Sequence, residues 1–186
     1  LRTVPLYPSV HDNPKAFYKN NLENRRNHHF IIVEPFDEEG IGPASYELSL
    51  GDQYYATSDE LPKDLGSTST SRYATIQPGE FAVLTSKEYI YVPPDLVGFI
   101  SIKYRYKEQG LVNVSGFHVD PGFFGRLLFT VFNAGPRDIV LEAGSKLFLI
   151  MFAELKETTS KPYSGSHQCQ NDIPPDVAAN LRGMSI

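Results

Sequence analysis

Gly116-Phe117-His118-Val119-Asp120-Pro121-Gly122-Phe123-Phe124-Gly125-Arg126 runs without a break into the apolar series Leu127, Leu128, Phe129, Thr130, Val131 and Phe132. A carboxylate therefore stands on a Pro-Gly turn at the mouth of a buried strand. Proline presets φ there, glycine supplies the positive φ and the close backbone approach that a tight turn beside a ligand needs, and aspartate offers acceptors for a sugar hydroxyl or a water. Alternation along the strand puts Leu127, Phe129 and Val131 on one face and Leu128, Thr130 and Phe132 on the other. Both faces are mostly apolar, which predicts a central strand with Thr130 as its one polar residue.

Outward from this strand the texture is the same. From Phe30 onward, short apolar runs rich in Val, Ile, Tyr and Phe are bounded by Gly, Pro, Asp or Asn, the pattern of an all-β fold. Strands are expected at residues 30–33, 45–50, 53–57, 73–76, 80–86, 89–92, 97–106, 124–132, 138–141 and 147–155. That many short strands predict a distorted β-barrel or jelly-roll, which limits open edges. Before them, Pro5, Pro8 and Pro14 punctuate the start, and residues 15–26, with Ala16, Phe17 and Leu22 and no internal Gly or Pro, predict one short helix. The expected organisation is an N-terminal extension over 1–29, a barrel over 30–157 and a flexible tail over 158–186, the tail ending in a helical turn or two over 177–181. Residues 58–72, containing Gly66-Ser67-Thr68-Ser69-Thr70-Ser71, read as a mobile surface loop rather than a phosphate cradle, because backbone nests need a tighter glycine pattern.

A length of 186 residues suits one core, and a net charge of −5 argues against a nucleic-acid backbone as partner while leaving small anions open, since a few local cations suffice for those. Cys169 is the single cysteine, so no intrachain disulfide or cysteine zinc cage can form, and a cytoplasmic setting fits. No apolar run reaches the roughly 20 residues that cross a bilayer, and no charged-then-apolar leader opens the sequence, so a soluble protein without membrane contact is expected. The sequence starts at Leu1 rather than Met, as a trimmed chain or one domain of a longer polypeptide would.

Four further stretches accompany the opening one: Pro43-Ala44-Ser45-Tyr46-Glu47-Leu48-Ser49-Leu50-Gly51, Gln77-Pro78-Gly79-Glu80-Phe81-Ala82-Val83-Leu84-Thr85, Val92-Pro93-Pro94-Asp95-Leu96-Val97-Gly98-Phe99-Ile100 and Ala143-Gly144-Ser145-Lys146-Leu147-Phe148-Leu149-Ile150-Met151-Phe152. Their order and wording resemble the dCTP deaminase branch of the trimeric dUTPase superfamily over roughly residues 33–155. The resemblance implies a dUTPase-like (β-clip) barrel, a homotrimer with its sites between subunits, a deoxynucleotide as partner, and metal-free hydrolysis of the C4 amino group of dCTP. Mg²⁺ would enter only with a bound nucleoside triphosphate.

Residue by residue, the resemblance exposes substitutions. Its glutamate base, three places before the asparagine that matches Asn133, is Thr130 here, and a hydroxyl with no ionisation near neutrality cannot take that role. Its Ser-Ser-Leu-Ala-Arg run before a Gly-Leu pair falls on Tyr104-Arg105-Tyr106-Lys107-Glu108, so both serines are gone and Glu108 stands where a guanidinium would face the triphosphate. Read as a strand, this segment puts Lys103, Arg105 and Lys107 on one face, as phosphate contacts in a shifted register or as a solvated basic edge. The glutamine of the last strand is Leu149, and the aspartate of the Ser-x-Asp-Leu motif is Glu47, read as structural. The closing Tyr-Gln-Gly-Gln segment is similar to His167-Gln168-Cys169-Gln170, which leaves Gln168 and Gln170 as amide readers of a ligand or as parts of a flexible tail.

Asp120 survives. The resemblance sets it at the deoxyribose 3′-hydroxyl or, in the dUTPase branch, at the attacking water; the plain alternative is a turn aspartate capping its own backbone. His118 stands two residues earlier, on the same side of an extended segment, as an acid/base partner or a packing residue. Tyr104, Tyr106, Phe117, Phe123, Phe124 and Phe132 would stack a base or narrow the pocket. Three readings follow. The first is an altered or non-catalytic nucleotide-binding relative. The second is an active hydrolase, deaminating through Glu108 or cleaving a phosphoanhydride through Asp120 with Mg²⁺. The third is an assembly module.

Overall fold

The computed structural model describes residues 10–23, 30–66, 71–174 and 176–177. The Asn13 side chain accepts the Ala16 N–H at 2.9 Å and Pro14 takes the first helical position, so α1 (Pro14–Asn21) opens one residue ahead of the expected start. Phe17 on α1 is buried and stacks on Phe124 at a centroid distance of 5.3 Å, which docks the helix on the barrel.

The strands are β1 (Ile32–Glu34), β2 (Tyr46–Ala56), β3 (Lys63–Asp64), β4 (Tyr73–Ile76), β5 (Phe81–Tyr91), β6 (Leu96–Ile102), β7 (Leu111–Asn113), β8 (His118–Val119), β9 (Phe124–Asn133), β10 (Ile139–Glu142) and β11 (Lys146–Glu154). They pair as β7-β9-β5-β2-β11-β6-β8 in a curled half-barrel, with β1 added on β5 and β3 on β2, while β4 and β10 form a separate ribbon. The all-β reading and the single short N-terminal helix are borne out. β9 is central between β7 and β5, and its Leu127, Phe129 and Val131 face the core, where Phe129 stacks on Phe148 of β11.

Four local expectations change. Residues 45–50 and 53–57 form one strand, β2, interrupted by a register shift between Leu50 and Tyr54; residues 80–86 and 89–92 form β5, shifted between Thr85 and Tyr89. The two irregularities lock together. Arg126 of β9 reaches into both, its Nε donating to the Ser86 carbonyl at 2.6 Å and one Nη to Thr85 Oγ1 and Asp52 Oδ1. Only glycine fits at position 51, where a Cβ would lie 2.2 Å from that Nη.

The strand expected over 97–106 stops at Ile102, and α2 (Tyr104–Lys107) follows. The alternating face for Lys103, Arg105 and Lys107 is therefore corrected: they lie on a helical turn closed by Glu108 N–H to the Tyr104 carbonyl. The loop over 58–72 contains β3, and Leu65 beside it is buried in the core. Residues 67–70 of its Ser/Thr run, like 178–181 of the expected closing turns, lie outside the described residues. The tail is hydrogen-bonded to the barrel as far as Ile173 rather than loose.

Candidate functional site

The turn that opened the sequence closes with the Phe123 N–H donating to the Asp120 carbonyl at 3.1 Å. The Asp120 carboxylate is thus free of backbone capping, and its one partner among the described residues is His118 Nε2 at 3.4 Å, both side chains about half exposed. Gly122, at φ +89, does permit a close approach, but what approaches is the chain itself: a Cβ there would meet Pro162 at 2.6 Å, and the Tyr163 N–H donates to the Pro121 carbonyl.

The link between β7 and β8, residues 114–117, carries the rest of this rim. Val114 and Ser115 N–H groups both donate to the Thr130 carbonyl at 2.9 and 3.2 Å, and the Ile100 N–H donates to the Phe117 carbonyl at 2.9 Å. Four residues thereby tie β9 to β6 and bring the two ends of the curled sheet together. Phe117 is 66 % exposed, stacked on Phe99 at 6.2 Å and tilted against His118 at 4.9 Å. Phe99 escaped sequence reasoning, although it directly faces His118 in the β6–β8 register.

A second set gathers on β2, β11 and β6. Leu149 pairs with Glu47 on one side and Ser101 on the other, so these two residues and the segment leading into α2 are neighbours. Glu47 accepts from Lys103 Nζ in a half-buried ion pair. Arg105 lays its guanidinium over the Tyr106 ring at 4.7 Å and donates to the Tyr106 hydroxyl and the Lys146 carbonyl, and Lys107 donates to Ser101. Lys146 donates to Asp37 at 2.7 Å, which, aided by the Glu39 N–H, holds the Asp37 carboxyl below the usual carboxylate range. The Lys103, Arg105 and Lys107 cations are thus already engaged. Glu108 is exposed at the end of α2, Tyr104 points outward at 76 % exposure, and Tyr106 is buried in the core instead of narrowing a pocket.

Gln168 and Gln170 also spend their amides inside the chain. Gln168 accepts the Phe124 N–H and donates to the Gly122 carbonyl; Gln170 donates to the Arg126 carbonyl and meets His167 Nδ1 at 2.7 Å. No hydrogen bond or ion pair joins the Lys103–Glu47 set to the His118–Asp120 pair among the described residues, nor do three or more His, Cys, Asp or Glu side chains converge there as metal ligands. Chemically, the rim offers a carboxylate and an imidazole able to hold a hydroxyl, with apolar rings beside them.

Three comparisons bear on this geometry. The dCTP deaminase-like family model matches residues 17–155. The chain is 32 % identical to the dCTP deaminase of Thermococcus kodakarensis over 139 residues, 74 % of this chain and 85 % of that protein. It is likewise 32 % identical over 151 residues to a dUMP-forming dCTP deaminase of a Hydrogenobaculum species, covering 78 % and 85 %. In fold, it is similar to the 2′-deoxycytidine 5′-triphosphate deaminase of Agrobacterium tumefaciens, with a TM-score of 0.52 at 20 % identity over 66 % of this chain and 43 % of that one.

Proposed function

The chain belongs to the dCTP deaminase-like family, and on that premise we propose that it is a catalytically altered homologue that still binds a deoxynucleotide. The observation that carries this reading is Thr130. It stands on central strand β9, its carbonyl held by the Val114 and Ser115 amides, at the position where the resemblance expects the proton-handling glutamate. A threonine hydroxyl cannot cycle a proton at neutral pH, whereas a sheltered carboxylate can. The cations of the α2 region support the same conclusion, because Lys103, Arg105 and Lys107 are bound to groups of the chain and Glu108 would repel a polyphosphate. Asp120 and His118 remain able to hold a ribose hydroxyl, with Phe117 as a stacking surface for the base.

A second reading, a homotrimeric assembly module, is favoured by one specific feature. Phe81, Phe132 and Val112 are cross-strand neighbours on the outer face of β5, β9 and β7, and Val112 is 44 % exposed. A row of apolar side chains on the outer face suits burial against another copy. Such an assembly would also let Asp120 of one subunit meet the Lys103 set of another.

The test is incubation of the pure protein with each dNTP and Mg²⁺ while following ammonia and pyrophosphate. Neither product is expected above the protein-free control, while one deoxynucleotide raises the melting temperature and Asp120→Ala cancels that rise. Release of either product, lost in Asp120→Ala, would establish the active-hydrolase alternative; no thermal response to any nucleotide would leave the assembly role alone.

A further inference from the structure

The meeting of the two strand irregularities opens a cleft that the Asp120 rim does not use. Gly51 and Asp52 of β2, Lys87 of β5, Arg126 of β9, Arg72 and Gly144 line a space of about 540 Å³. Arg126 is the informative member. It is 6 % exposed, its Nε and one Nη are bound to Ser86, Thr85 and Asp52, and its other Nη has no hydrogen-bond acceptor among the described residues. That second Nη is not among the buried groups lacking a partner, so it opens to the cleft with its N–H groups available to an acceptor, while the rest of the fork is fixed from behind.

Its only carboxylate partner among the described residues is 68 % exposed, so much of the Asp52 charge is turned to solvent. Lys87 is exposed and forms no ion pair with a described residue, and among the described residues the Arg72 side chain pairs with Glu142 alone, at 3.6 Å. Arg72, Lys87 and Arg126 bring three positive charges against Asp52 and Glu142, a local excess on a chain whose net charge is −5. Glycine at 51 leaves the guanidinium its room, and a Cβ on Gly144 would meet nothing within 4 Å, so this wall of the cleft is open.

We propose that this cleft binds a compact oxyanion of the phosphate or pyrophosphate class, with Arg126 as the fixed fork and Lys87 and Arg72 closing on the anion from the rim. It shares no residue with the Asp120 rim and does not depend on the nucleotide reading.

The experiment is calorimetric titration of the full chain at low salt with inorganic phosphate, pyrophosphate and dCTP. Pyrophosphate is expected to bind at one site per chain, and the Arg72→Ala/Lys87→Ala double variant, altered only at exposed side chains, to weaken it at least tenfold with an unchanged circular dichroism spectrum. Asp120→Ala is expected to leave this binding intact. Pyrophosphate binding without dCTP binding, and dCTP binding that pyrophosphate displaces, both support the proposal, the first assigning a free anion and the second a nucleotide's tail. Absence of saturable binding by all three, binding that the double variant retains, or binding that Asp120→Ala removes would each overturn it.

Discussion

Glu88 sits 2 % exposed in the irregular part of β5, both carboxylate oxygens accepting the Ser49 N–H at 3.1 and 2.9 Å. Burial pushes its carboxyl above the usual glutamate range, against the pull of that N–H and of Lys146. A carboxyl whose folded-state pKa is raised stabilises the fold below the ordinary glutamate pKa and loses that contribution as pH climbs through the raised value. Glu88→Gln keeps an acceptor for Ser49 and drops the charge, so its melting temperature relative to the native chain should rise as pH climbs above the ordinary glutamate range and level off once Glu88 is ionised. A difference independent of pH would refute the assignment. Single residues also mark how far the sequence could be read. The turn at Asp120 was legible because Pro-Gly before an apolar strand has few other meanings. The occupant beside Gly122 was not, because positive φ signals close approach without naming what approaches, and here it is Pro162. Arg126 gave no signal, since a lone arginine at a strand mouth usually faces solvent and its partners Ser86 and Asp52 lie 40 and 74 residues away.

Among the elements, the tail is the segment whose sequence and structure diverge most. Polar composition predicts a flexible strand end, yet Gln170 bridges Gly125 in parallel register, the Arg126 N–H donates to the Gln170 carbonyl, and Ile173 is buried against Tyr55 and Val83. Composition missed this because the anchoring is done by backbone groups and amides, which any polar tail possesses, plus one isoleucine. Ile173→Ala should cost about 2 kcal/mol of local docking, the low end for such a truncation, and accelerate hydrogen exchange about thirtyfold at Arg126, Cys169 and Gln170. Exchange in the middle of β9 should be untouched, and unchanged rates at Cys169 would mean that Ile173 is not the anchor. The central place of β9 followed from alternation alone, whereas the strand order and α2 did not. Over five residues, periods of 2 and 3.6 are hard to separate, and the positive-φ Gly110 that ends the turn was the one cue against a strand.

On the scale of the whole molecule, the separation of the two candidate sets becomes a statement about assembly. Within one chain, Glu47 and Leu149 lie on β2 and β11 with Lys103 just past β6, while His118 and Asp120 lie at the edge strand β8, and no polar contact joins the two sets among the described residues. Ile173 of the tail packs on the outer face at Tyr55, Val83 and Leu128, and along the same face Phe81 and Val112 are exposed among the described residues, with Phe132 part-buried between them. Under the homotrimer reading this exposed apolar row is buried by a second copy, and a closed ring of three does this for every subunit at once. The native protein should therefore show a light-scattering mass about three times its 20.8 kDa. Val112→Glu places a charge in that interface at a position already half exposed in the monomer, so it should fold, run at the mass of one chain and melt at a lower, concentration-independent temperature. A native monomer, or a Val112→Glu protein with unaltered mass, would remove this face from the assembly and with it the route by which Asp120 could reach the Lys103 set.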